Sequence, residues 1–113
     1  MCETLRAAAD FERLFNSKNM FFSHGVLVKF VKSSSLDFKF AIAVPKRFGK
    51  AVKRNKLRRR LKEIVRLSAN KPDFSHIVFS IRRSCESFSY SLLRAMCDES
   101  FTRIGKAALN GVL

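Results

Sequence analysis

Residues 46–66 read KRFGKAVKRNKLRRRLKEIVR, and the spacing of apolar residues among the charges decides the fold. Leu57, Leu61, Ile64 and Val65 stand at i, i+4, i+7 and i+8, so from Ala51 the stretch predicts a helix with one buried stripe. Eleven of its residues are Lys or Arg and only Glu63 is acidic, which places +10 of the chain's formal +14 in this segment. At about 100° per residue, Arg54, Arg58 and Lys62 line one edge of the stripe, rising about 6 Å per rung, with Asn55 just outside it. Lys56, Arg59 and Arg60 fall on other sides as a more diffuse positive coat.

A charge run on a helix is usually a solvated face with interleaved signs. Here only Glu63 opposes the run, facing Arg59 and Leu67, and like charges at i,i+4 cost a few tenths of a kcal/mol per pair. An external polyanion would compensate them, because guanidinium forks and ammonium groups neutralise phosphates and release counterions.

Upstream, Asp37 to Val44 alternates as a strand, with Phe38, Phe40, Ile42 and Val44 on one side and Lys39, Ala41 and Ala43 on the other. The small residues leave room for something to approach that face. Pro45 ends the strand, and Gly49 permits a sharp turn into the basic helix. Before it, Ser33 to Leu36 is a turn, Gly25 to Lys32 a strand, and Met20 to Ser23 an extra short strand. Residues 5–17 suit a first helix with Phe11, Leu14 and Phe15 on one side; the two rings serve either as core or as a stacking platform for unpaired bases.

Downstream, the basic helix should end near Asn70, before Pro72. Phe74 to Ile81 is the next strand. Ser84 and Ser87 offer N-caps for a last helix over 88–109, with Leu92 or Leu93, Met96, Ile104 and Ala108 buried. The order is α-β-β-α-β-α with the extra short strand, an α+β class of three helices and three or four strands in a single domain, 1–113.

Twelve Phe and 47% hydrophobic residues can fill the core of such a domain, and a pI of about 10.6 on a folded chain is the footprint of a nucleic-acid binder. No apolar run approaches the roughly 20 residues of a membrane span. The start, MCETLRAAADFE, lacks a basic region before an apolar block, so a cytoplasmic location without membrane association is expected. Cys2, Cys85 and Cys97 lack metal-ligand spacing and read as reduced, partly buried thiols, and His24 and His76 stand near no nucleophile pattern. No catalytic or metal-binding residue is assigned.

The run FAIAVPKRFGKAVKRNKLRRRLKEIVR resembles the central motif of the bacterial ribonuclease P protein component: a strand, two basic residues, Gly, Ala-Val, Arg-Asn-Arg and a basic helix. The resemblance extends over nearly the whole chain. It implies a ribosomal-protein-like sandwich of a small mixed sheet and helices, with a left-handed βαβ crossover against the usual right-handed rule. It also implies a protein subunit of an endoribonuclease, inactive alone, whose partner RNA carries out the Mg2+-dependent removal of the 5′ leader from precursor tRNA. By the same resemblance, the RNA-facing residues are Lys46, Arg47, Lys50, Lys53, Arg54, Asn55, Lys56, Arg58, Arg59 and Lys62, and the leader-binding cleft falls on Phe11 and Phe15. Lys56 and Lys62 stand where Arg is usual, which keeps charge and loses the planar fork. A cleft aromatic usual on the first long strand falls at Val28 or Lys29, so the nearest ring, Phe30, is expected in the leader-binding cleft with Phe11 and Phe15. Mg2+ is expected to be held mainly by the RNA, and a weak homodimer of the free protein stays open. The alternatives are a ribosomal protein that only buttresses rRNA and a DNA-binding regulator; the latter would require a helix-turn-helix pair or a dimerisation element, neither of which is evident.

Overall fold

The computed structural model of the chain describes residues 2–4, 8–33, 37–72, 74–82 and 88–111, with side chains from Glu12 onward. Five strands form one mixed sheet: β1 (Cys2–Thr4), β2 (Met20–Ser23), β3 (Val26–Lys32), β4 (Phe38–Ala43) and β5 (Ser75–Ile81), in the order β1-β4-β5-β3-β2. β4 runs parallel to both β5 and β1, whereas β3 is antiparallel to both β5 and β2. The helices are α1 (Ala8–Phe15), α2 (Ala51–Leu67) and α3 (Tyr90–Leu109).

The alternation expected for β4 sorts its residues onto two differently covered faces. Phe38 and Phe40 join Val26, Val28, Phe30, Ile77, Phe79 and Ile81 in the main core, beneath Leu57, Leu61, Ile64 and Val65 of α2 and Leu93, Met96, Phe101 and Ile104 of α3. On the opposite face Leu14 of α1 packs on Ala41 and Val78, with Val31 and Ala43 beside them. Leu14 of α1 therefore fills the room over Ala41, whereas Ala43 at the strand end stays partly open. β4, α2 and β5 form the parallel crossover that presents the basic helix along the sheet.

The four expected strands are extended at one edge by β1, whose Cys2, Glu3 and Thr4 pair with Phe38, Lys39 and Phe40. Three residues are too short to carry a period-2 signal. β2 and β3 are joined by a tight turn in which His24 (φ 50°) and Gly25 (φ 85°) both have positive φ, the twist that suits a two-residue hairpin. α2 stops at Leu67 rather than near Asn70: the Ser68 hydroxyl donates to Ile64 O at 2.7 Å, and Lys71 Nζ donates to Arg66 O and Ser68 O. α3 starts at Tyr90, capped by the Ser89 side chain accepting from Leu92 N; Ser84 and Ser87 lie outside the described residues. Phe88 does not open the helix, and its buried ring sits 6.0 Å from that of Phe48.

Candidate nucleic-acid interface

Between β4 and α2 the chain makes one 3-10 turn, Lys46–Phe48, anchored by the buried Phe48 with Lys46 and Arg47 left in solvent. Gly49 follows at φ 156°, ψ −173°, a region open essentially to glycine alone. Lys50 then takes the N-cap position of α2 without a capping side-chain bond, and no acidic residue stands in the first turn. The positive end of the helix dipole adds to Lys46, Arg47, Lys50 and Lys53 instead of being offset.

Along α2 the edge row separates from the coat only in part, since its third member, Lys62, is exposed like the coat. Arg54 and Arg58 are half-buried, whereas Lys53, Asn55, Lys56, Arg59 and Lys62 are exposed. Arg54 Nε is shielded from solvent and has no hydrogen-bond partner among the described residues, a donor that an incoming phosphate oxygen would satisfy. Arg58 reaches Asn55 Oδ1 at the long distance of 3.5 Å. Glu63 turns to Arg66 at 2.8 Å rather than to Arg59, so no described carboxylate lies within ion-pair distance of Arg54, Lys56, Arg58, Arg59 or Lys62. Arg60, expected in the diffuse coat, is half-buried as well.

The row meets an aromatic ring. A cleft of about 460 Å3 is lined by Phe15 from the end of α1, Ala43 from the end of β4 with Val44 and Pro45 just after it, Ser80 and Ile81 from β5 with Arg82 just after it, and Arg47 and Arg58. Phe15 is 54% exposed, so much of its ring remains open to solvent. Arg82 is a cleft residue that the sequence reading missed; its signal was its position one step after a strand now seen to run parallel to β4.

Phe30 does not belong to this cleft. It is 5% exposed and faces the main core, where its ring lies 5.9 Å from Phe21, and strand parity puts it on the opposite side of the sheet from Phe15. Lys29, one residue earlier, is on the α1 side, and its Nζ lies 3.4 Å from Phe15 O. Val28, the other aligned position, is fully buried. The side chain of Phe11 lies outside the described residues.

Among the described residues no group of three or more His, Cys, Asp or Glu side chains is placed to hold a metal ion. Cys97 is a free, buried thiol whose pKa is pushed up to about 12 by burial and by the neighbouring Asp98 carboxylate; the side chain of Cys2 and all of Cys85 lie outside the described residues. His76 is buried, with Nε2 3.1 Å from Asp37 Oδ1, and His24 Nδ1 lies 3.6 Å from Glu99 Oε2. No described helix is long and apolar enough to cross a membrane.

A small α+β domain with a strongly cationic helix bordering a cleft on its sheet is the class that fold and site define. The family model for Ribonuclease P matches residues 1–105, and the chain belongs to that family. It is 32% identical over 68 residues to the ribonuclease P protein component of Fusobacterium nucleatum, covering 60% of this chain and 61% of that protein. It is 38% identical over 56 residues to the component of Mycoplasma mobile, covering 50% of this chain and 48% of that protein. The matched part thus spans about half to three-fifths of these curated relatives. Among solved structures, the RNase P protein of Thermotoga maritima superposes with a TM-score of 0.75 at 27% identity, covering 88% of this chain and 96% of that one. The Staphylococcus aureus RNase P protein, at 22% identity and a TM-score of 0.75, covers 91% of this chain and 94% of that one and shares the fold.

Proposed function

We propose that the chain is the protein subunit of ribonuclease P, which binds a catalytic RNA and the 5′ leader of precursor tRNA and assists endonucleolytic removal of that leader. The observation that carries this reading is the meeting of Arg47, Arg58 and Arg82 with the half-open ring of Phe15 in one cleft, within a chain of this family. Guanidinium groups hold phosphates without reading sequence, and an exposed ring stacks an unpaired base of any identity. That combination suits a single-stranded extension of variable sequence. The exposed side of α2, carrying Lys50, Lys53, Lys56, Arg59 and Lys62, then serves the catalytic RNA through its backbone.

In this reading the protein's residues position and neutralise, Mg2+ stays with the RNA, and the complex works in the cytoplasm. The test is reconstitution. Protein stripped of nucleic acid at high salt should not process precursor tRNA, and adding the catalytic RNA should restore cleavage at the leader junction at low Mg2+. Cleavage by RNA-free protein, or an RNA reaction indifferent to the protein, would overturn the proposal.

A further inference from the structure

The side of the sheet that carries the Phe15 cleft continues past it to the edge strand. In β2, Met20 and Phe22 alternate with Phe21, and their cross-strand partners are Lys29 and Leu27 of β3. Leu27 in turn pairs with Ser80 of β5, and Ser80 with Ala43 of β4. Ser80 and Ala43 line the cleft, so the row Ala43, Ser80, Leu27, Phe22 runs unbroken from the cleft to the sheet edge on the α1 side. Three inter-strand steps make that row about 14 Å long.

Phe22 is 65% exposed, and no ring contact engages it among the described residues. Its neighbour Phe21 shows what an engaged ring looks like here: it turns to the other face, packs against Phe30 and lies under the Arg103 guanidinium at 4.1 Å. Between the two exposed rings stands Lys29, its Nζ against the carbonyl of Phe15 and its Cα two residues along β3 from Leu27, the partner of Phe22. The surface therefore presents ring, ammonium, ring, with Arg47, Arg58 and Arg82 behind the first ring.

We infer that Phe22 is a second stacking ring, and that a single RNA strand leaving the Phe15 cleft crosses Lys29 and places a further unpaired base on Phe22. This rests on the leader-binding reading above. Charge complementarity names the occupant: bases need ring faces, phosphates need cations, and the described side chains bordering the track are cationic or neutral.

The experiment uses the reconstituted ribonucleoprotein and compares affinities for precursor and mature tRNA with Phe22→Leu, Phe22→Tyr and Phe15→Leu proteins. Phe22→Leu should lower the precursor-over-mature preference on the order of tenfold, and Phe22→Tyr, which keeps the ring, should restore it. With a precursor bearing a one-nucleotide leader, whose single unpaired base can stack on one ring only, at most one of the two Leu substitutions should still matter. Loss with Phe15→Leu but none with Phe22→Leu would overturn this inference and leave the leader-binding reading standing. No loss with either would remove both. If sedimentation shows a dimer that Phe22→Leu dissociates while the affinity ratio stays fixed, the edge is a contact between copies and the inference fails.

Discussion

Phe15, on the last turn of α1, and Arg58, in the middle of α2, line the same cleft although the two helices cover opposite faces of the sheet. They meet because β4 and β5 both end there, so that side chains from either layer can reach around the strand termini. Replacing Phe15 by Leu should selectively weaken precursor tRNA relative to mature tRNA, since only the former has a leader to stack. Because Phe15 is already more than half exposed, the melting temperature should hardly move. Equal losses for both RNAs would return the ring to a packing role.

Arg54 and Arg58 should fail differently from Phe15. Alanine at either position removes a charge-assisted donor and should cost on the order of 1–3 kcal/mol of RNA affinity, the lower end applying to an exposed contact. The loss should be the same whatever the leader sequence, because phosphates carry no base identity. Titrating the catalytic RNA and precursors with different leaders checks both the size and the uniformity.

The exposed run on α2 makes salt dependence a direct readout. The logarithm of affinity should fall with the logarithm of salt concentration at about 0.7 to 0.9 per phosphate neutralised. Reversing Arg59 and Lys62 to Glu should flatten that slope. A slope near zero in the unaltered protein would mean that another surface docks the RNA.

How much of this could be read beforehand follows the physics of each signal. The α2 stripe was legible because four apolar residues in a charged run leave one solution for the buried face, and Leu57, Leu61, Ile64 and Val65 are all buried. The split of β4 was legible from period 2, but what covers Ala41 was not, because Leu14 arrives from another element. Nearness in sequence put Phe30 in the cleft, but one residue from Lys29 is a change of face in a strand, and the ring lies in the main core. The His24–Gly25 turn was hidden because His-Gly is not among the Asn-Gly and Asp-Gly pairs that signal a two-residue hairpin, and Arg82 entered the cleft only once β5 was known to lie parallel to β4.

Leu61 is fully buried at the centre of the α2 stripe. Truncation to Ala should cost about 2–5 kcal/mol, which in a domain of this size lowers Tm on the order of 10–30 °C. Val52, on the same helix and largely exposed, should tolerate Ala within about 0.5 kcal/mol. Calorimetry on the pair separates packing from propensity, since Ala is a better helix former than either Leu or Val and only lost packing makes a substitution destabilising.

Cys97 gives the fold a pH signature on the alkaline side. Its thiol is fully buried in the main core, and burial with the adjacent Asp98 carboxylate raises its pKa from 9.0 to about 12. The native state therefore keeps the proton that the unfolded chain loses, so this contribution to stability is whole below about pH 9 and declines as pH rises towards 12. In a Cys2→Ser, Cys85→Ser background, a thiol reagent at pH 8 should leave the native protein unlabelled and react once denaturant opens the core, because only the exposed thiolate is a nucleophile. The Cys97→Ala protein should lose the part of the alkaline decline in denaturation midpoint that belongs to this thiol. Rapid labelling of the native protein at pH 8, or an alkaline decline unchanged in Cys97→Ala, would show that the thiol is not held neutral by the fold.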